Sequence, residues 1–227
     1  MTALEKSVRT VGRLILPALL LLFMHDVPAF AASFDHYVKK YDNVEISRQG
    51  LENLNTYQEL IEYFCDFAFF KPRHKVNPDF IRALILAESA ADPKAVSHKN
   101  ARGLGQILPE TGKIAARELY NRQTDFQYVP RSRLKNFDPA DLHDPAVNIL
   151  LTCYLISKYN YQYDGRLQLV VSAWNAGVNA INDNNPPDYK ETLDLIGRVN
   201  GYFKYLLNRE KTIAPLPAPD RQRLTKN

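Results

Sequence analysis

Between Asn77 and Pro93 the chain spells a helix with both ends marked and one acid at its far end. Asn77 can cap the first free amides, Pro78 is pre-set for the first helical position, and Asp79 suits the positive end of the helix dipole. Phe80, Ile81, Leu84, Ile85 and Ala87 recur at helical spacing, which predicts burial along a wide face. Glu88 falls near the carboxyl end, where desolvation and the negative end of the dipole both disfavour its charged form and raise its pKa toward that of a usable general acid. Pro93 breaks the pattern, and small and polar residues lead to a second apolar turn at Gln106 to Leu108. A lone glutamate in such a place is ordinarily tied up by a neighbouring lysine or arginine. Its company decides otherwise.

That company is Ser89, Pro93, Ala95 and Ser97, then Ala101-Arg102-Gly103-Leu104-Gly105-Gln106, with Pro109 and Thr111 behind. Matching residue types at so many fixed offsets, the stretch resembles the catalytic signature of the soluble lytic transglycosylase (SLT) family, relatives of the goose-type lysozymes. Asp144-Pro145 with Asn148-Ile149 resembles the start of the family's next core helix. Ser172-Ala173-Trp174-Asn175-Ala176-Gly177 resembles its Ala-Tyr-Asn-Ala-Gly element. Glu191-Thr192, followed at helical spacing by Leu195, Ile196, Val199 and Tyr202, resembles its closing helix. The resemblance runs from Val76 to Leu207. It implies a mainly α, lysozyme-like helical domain, with room for a short irregular hairpin in the loop from Ser97 to Gly105.

The chain opens with Lys6, Arg9 and Arg13, an apolar run from Leu14 to Met24, and Ala29-Phe30-Ala31. Basic, apolar and small residues in that order read as a secretory signal peptide cleaved after Ala31. The run contains Pro17 and falls short of the roughly 20 apolar residues a membrane span needs. No cysteine follows it for lipid attachment. A periplasmic or secreted protein is expected, with no integral span in its mature form. The 227 residues carry 29 Lys and Arg against 25 Asp and Glu, a net charge of +4, and loss of the leader leaves +3. So mild a balance is compatible with an anionic polymer but selects none, and no nucleic-acid motif is present.

After the leader, Phe34 to Ser47 has no clean period and reads as a loose extension. Leu54, Tyr57, Leu60, Ile61, Phe64, Phe67 and Ala68 predict one helix from about Leu51 to Phe70, ended by Lys71-Pro72, its aromatic stripe facing the core. Between Thr111 and Asn148 the chain is longer than the family resemblance leads one to expect, and Tyr120 to Phe137 carries its distinctive residues. It interleaves Arg122, Arg131, Arg133 and Lys135 with Tyr120, Phe126, Tyr128 and Phe137, as either a lid over a glycan cleft or a solvated surface loop. Helices follow over Asn148 to Tyr159, Leu167 to Trp174 and Thr192 to Leu207. The expected division is a leader over 1–31, an extension with a first helix over 32–72, a catalytic domain over 73–210 and a disordered Pro-rich tail over 211–227. Cys65 and Cys153 both lie in helical patterns, and disulfide pairing and burial as two small hydrophobes are both open.

Hydrolysis of a glycosidic bond ordinarily takes two carboxylates. Only Glu88 sits in a motif here, and nothing sets Asp92, Asp144 or Asp183 across a sugar from it. The resemblance implies a reaction that needs one acid. Glu88 would protonate the oxygen between N-acetylmuramic acid and N-acetylglucosamine, then take the proton of the muramic C6 hydroxyl as it attacks C1, leaving a 1,6-anhydro ring. By matching position, Ser97, Gln106, Trp174 and Asn175 would contact substrate, and Gly103 and Gly105 would let the backbone approach the glycan.

Three departures from the family pattern stand out. Trp174 replaces a tyrosine expected to bond the catalytic glutamate, and an indole donates but cannot accept. Asn100 replaces a glycine, a change its tolerance of left-handed backbone softens. Gly105 replaces a methionine, which removes an apolar wall and predicts a wider cleft.

The alternatives are a hydrolytic goose-type muramidase and a non-catalytic peptidoglycan-binding module that kept the fold. The expected partner is the peptidoglycan glycan strand, cleaved by a monomer serving a secretion or division apparatus of the envelope. No cofactor is implied. No metal site is implied either, since His25, His36, His74, His98 and His143 show no ligand-like clustering.

Overall fold

A computed structural model of the chain describes residues 29–212. Residues 1–28 of the expected leader and 213–227 of the expected tail lie outside the described residues. Among the described residues nine α-helices follow in order: α1 (Ala29–Lys40), α2 (Arg48–Asn55), α3 (Gln58–Cys65), α4 (Pro78–Ser89), α5 (Pro109–Asn121), α6 (Arg131–Lys135), α7 (Pro145–Tyr163), α8 (Leu167–Ala176) and α9 (Lys190–Thr212). Short 3₁₀ turns occupy Pro72–His74, Pro139–His143 and Val178–Ala180. Among the described residues extended pairing is confined to isolated antiparallel bridges, Val96 with Arg102, Arg102 with Ile107, and Asn182 with Asn185. The loop before α5 is thus hairpin-like without a strand.

The local signals at 77–79 act as read. The Asp79 amide donates to Asn77 Oδ1 at 2.7 Å, Pro78 is the first helical residue, and Phe80 through Ala87 is buried except for Arg82. The helix stops where Ala90 turns left-handed at φ 51°. The central helix is α7. Asp144 caps it through the Ala146 amide at 2.8 Å, and every residue from Val147 to Ser157 is buried. A helix apolar all round belongs in the middle of a core, and α3, α5 and α8 pack around it.

Three expectations about the chain before and after α4 need correction. Residues 34–40 are not a loose extension: α1 lies along α9, where added Cβ atoms at Gly197 and Gly201 would come within 2.3 and 2.4 Å of the Tyr37 and Tyr41 carbonyl oxygens. Lys40 Nζ and Tyr41 Oη both meet Asp194 Oδ1, at 2.6 and 2.9 Å. Residues 51–70 are not one helix. Ser47 caps a separate α2, accepting from the Gly50 amide at 3.1 Å, and Tyr57 at φ −108°, ψ 8° interrupts the rod before α3. The apolar period runs through that break, so periodicity alone could not mark it.

Segment 120–137 is neither a lid nor a solvated loop. Phe126 is buried, with its ring 5.1 Å from Phe67 and 6.1 Å from Phe64, and Tyr128 meets Tyr63 edge-on at 5.0 Å while donating to Glu59. Arg131 stacks over Tyr120 at 4.9 Å, and Arg133 pairs with Asp141 and Asp144 at 2.9 and 2.6 Å. Its aromatics extend the core over α3, and these arginines are engaged within the segment and its neighbours.

Candidate active site

Glu88 stands in the last turn of α4, at the floor of a cleft enclosing about 720 Å³ of space open to solvent. Ala90 and Ala91, at φ 51° and 63°, swing the chain away just beyond it. Consecutive left-handed alanines cost strain that persists where the surroundings over-determine them. Desolvation is the main influence on Glu88 and pushes its pKa up to about 7; the Trp174 hydrogen bond and the Arg198 charge pull the other way, and Glu191 adds to the rise. A carboxyl group poised there exists in both protonation states near neutrality, which suits it to give and then take a proton.

Trp174 Nε1 donates to Glu88 Oε1 at 2.8 Å. The indole therefore supplies the contact to the glutamate that the sequence comparison expected of a tyrosine hydroxyl, and it fixes the carboxyl by donation alone. Its neighbour Asn175 donates through Nδ2 to Thr192 Oγ1 at 2.7 Å, which ties the end of α8 to the start of α9.

Ser97 and Gln106 reach the same cleft from the loop between α4 and α5. The Ser97 hydroxyl accepts from the Ala101 amide at 3.0 Å, so its proton is left to donate outward. Gln106, at φ 51°, donates from Nε2 to the Gly103 and Ala95 carbonyls at 2.9 and 3.2 Å. It braces the loop from inside and turns its amide oxygen to other uses. Asn100 is left-handed at φ 65°, as its substitution for glycine requires.

Gly103 and Gly105 face the protein interior instead of the glycan side. A Cβ on Gly103, at φ 71°, would come 2.0 Å from the Leu142 carbonyl oxygen, and one on Gly105 would come 2.4 Å from Thr152 Oγ1 and 3.4 Å from Trp174 Cζ2. The prediction that Gly105 widens the cleft fails for the same reason: a side chain there would point at α7 and the indole. Gly105 leaves room for Thr152 of α7, with the indole beside it at ordinary contact distance.

Several residues that build the site were not singled out for it from sequence. Asn148, 1% exposed, accepts from the Gly105 amide at 2.8 Å through Oδ1 and donates through Nδ2 to the Leu142 and Arg102 carbonyls at 2.8 and 3.0 Å. One side chain thus pins the active loop to α7. A polar residue inside an otherwise apolar helix was its signal. Arg198 donates to the Ala87 carbonyl at 3.0 Å and pairs with Asp194 at 3.2 Å, beneath Glu88. Lys99 and Glu191 close one side of the cleft with an ion pair at 2.9 Å. Glu88 and Glu191 are the carboxylates that line the cleft; Asp92, Asp144 and Asp183 do not. Among the described residues no cluster of three metal-ligating side chains occurs.

Residues 68–194 match the transglycosylase SLT domain family. A candidate soluble lytic murein transglycosylase of Haemophilus influenzae is 35% identical over 106 residues, covering 47% of this chain and 16% of that protein. The membrane-bound lytic murein transglycosylase C of Haemophilus ducreyi is 32% identical over 116 residues, 48% of this chain and 29% of its own. This chain therefore spans less than a third of either relative. The 70 kDa soluble lytic transglycosylase of Escherichia coli has the same fold over 80% of this chain and 30% of its own, with a TM-score of 0.55 at 17% identity.

Proposed function

This chain belongs to the transglycosylase SLT domain family, and on that premise we propose that it is a peptidoglycan lytic transglycosylase in which Glu88 acts first as acid and then as base. The observation that carries the reading is one carboxyl group, desolvated to a pKa of about 7, at the floor of a cleft and held there by an indole N–H. In the first half-reaction Glu88 gives its proton to the bridging oxygen between N-acetylmuramic acid and N-acetylglucosamine. In the second, the carboxylate takes the proton of the muramic C6 hydroxyl as that oxygen bonds to C1. The bond is broken without water and the glutamate ends as it began. Ser97, Gln106 and Asn175 offer polar groups along the cleft to orient the sugars, while Trp174 holds the carboxyl. Peptidoglycan lies outside the cytoplasmic membrane, which accords with the secretory leader read at residues 1–31 and with a role in opening the wall for an envelope apparatus.

Digestion of purified peptidoglycan tests the reaction directly. Soluble fragments lighter by one water than hydrolytic ones carry 1,6-anhydro ends and support it. Fragments with free reducing ends would overturn it in favour of hydrolysis, with Glu191, the other cleft carboxylate, as the group to examine as base.

The pH profile follows from the direction of the Glu88 shift. The reaction begins from protonated Glu88, so a raised pKa keeps the enzyme active up to near neutrality. Above pH 7, kcat/KM is expected to fall about tenfold per pH unit. A profile still flat at pH 9 would remove Glu88 as the acid.

Trp174→Phe keeps the apolar ring and loses the N–H. A hydrogen bond to a charged group is worth about 1.5–3 kcal/mol, so kcat is expected to fall by about tenfold or more with KM little changed. Because the lost bond lowers the Glu88 pKa, the alkaline limb should also move to higher pH. A fall in kcat with the limb unmoved would mean the indole merely fills space.

A further inference from the structure

We infer that Cys65 and Cys153 are a built disulfide site, closed within one chain when the protein folds under oxidising conditions. Their sulfurs lie 3.7 Å apart, in contact and unbonded, although the residues are 88 positions apart in sequence. Cys65 ends α3 and Cys153 sits in the middle of α7; they are 4% and 0% exposed. Two thiols in contact in a core are within reach of a bond, and the long loop between them is the kind that such a bond stabilises. The site bears on function because α3 precedes the family match at 68–194, while α7 carries the Asn148 that pins the active loop. A bond here would fasten the N-terminal helices to α7, which lines the cleft with Leu155 and Tyr159. The inference rests on the proposed export only for where such conditions are met, and not on the glycan chemistry.

The reaction is thiol–disulfide exchange. One cysteine thiolate attacks an external disulfide, of glutathione or of a protein oxidant, and forms a mixed disulfide; the second thiolate displaces that partner as a thiol. The two cysteines lose two protons and two electrons, and the external disulfide gains them. Timing follows from burial. Burial, and then the neighbouring Cys65, push the Cys153 thiol well above its ordinary range, so little thiolate exists once the core is closed. The bond therefore forms while α3 is still open, and the folded pair resists both oxidant and reductant.

The test uses purified full-length chain, unfolded, reduced and refolded in a buffer of oxidised and reduced glutathione. The expected product is a monomer about 2 Da lighter than the reduced chain, with the two hydrogens lost to one bond, and with the peptides bearing Cys65 and Cys153 joined in a digest. It should melt about 5–15 °C above the protein refolded with reductant, a gap absent in Cys153→Ala. Native reduced protein placed in the same oxidising buffer should keep both thiols for far longer than the refolding chain does. Two free thiols after oxidative refolding, or bonds only between chains, would overturn the inference. Running the Glu88→Gln protein alongside separates this outcome from any failure of the catalytic reading, since the bridge should form equally in both.

Discussion

Glu88→Gln is expected to reduce release of soluble fragments from purified peptidoglycan by about 10²–10⁴-fold, the usual share of a positioned acid–base group. The substitution is nearly isosteric, and an amide oxygen can still accept from Trp174 Nε1, so the cleft should keep its shape. What is lost is the proton. The same variant should melt higher than the wild type above neutral pH. The folded-state pKa, about 7, lies above the ordinary carboxyl value of 4.5, so the folded protein binds the proton more tightly than the unfolded chain. That contribution is fully present below pH 4.5 and is lost as pH rises through 7. At face value the penalty of burying the charge is about 3 kcal/mol, and it is smaller in practice because one side of the carboxyl meets the wet cleft. Glutamine escapes it. Retained activity, or a melting difference that does not grow with pH, would contradict this account.

The second large effect is expected at a residue that touches no substrate. Asn148→Ala removes three hydrogen bonds at once, leaving the Gly105 amide and the Leu142 carbonyl buried without a bond, while the Arg102 carbonyl keeps the Ile107 amide. Each orphaned group costs about 1–3 kcal/mol, and with partial relaxation the total should reach about 3–5 kcal/mol. The loop that carries Ser97 and Gln106 would lose its anchor, so activity should fall more steeply with temperature than global unfolding explains. Urea denaturation followed by assay below the transition separates the two. A loss below about 1 kcal/mol would mean that water replaces the side chain.

What could be read from sequence was whatever is local. The Asn77-Pro78 start, the buried face of α4 and the acid at its end are each written within a few residues, and each was legible. The candidate residues Glu88, Ser97, Gln106, Trp174 and Asn175 were named from a resemblance at fixed offsets, and all line one cleft. What failed depended on partners far along the chain. The order of α1 comes from two glycines about 160 residues away on α9, which no local period encodes. Phe126 and Tyr128 looked like exposed aromatics of an insertion until the ring stack of α3 was set beneath them. Gly105 was taken for an open wall because the direction of its absent Cβ, toward Thr152, is a property of the packed loop.

The position of α9 has a consequence for when the protein can work. This helix, last among those described, lies against α4, α8 and the early α1. From it come Thr192, which holds Asn175, the Arg198 beneath Glu88, and the Glu191 that closes the cleft with Lys99. The chain emerges from its N-terminus, whether from the ribosome or across a membrane, so α1 through α8 appear before any of these contacts exist. Until residue 190 and beyond have emerged, α4 lacks α9, and the Ala87 carbonyl lacks the Arg198 beneath Glu88. On the proposed function, the emerging chain is therefore expected to stay inert until α9, the last helix among the described residues, is in place.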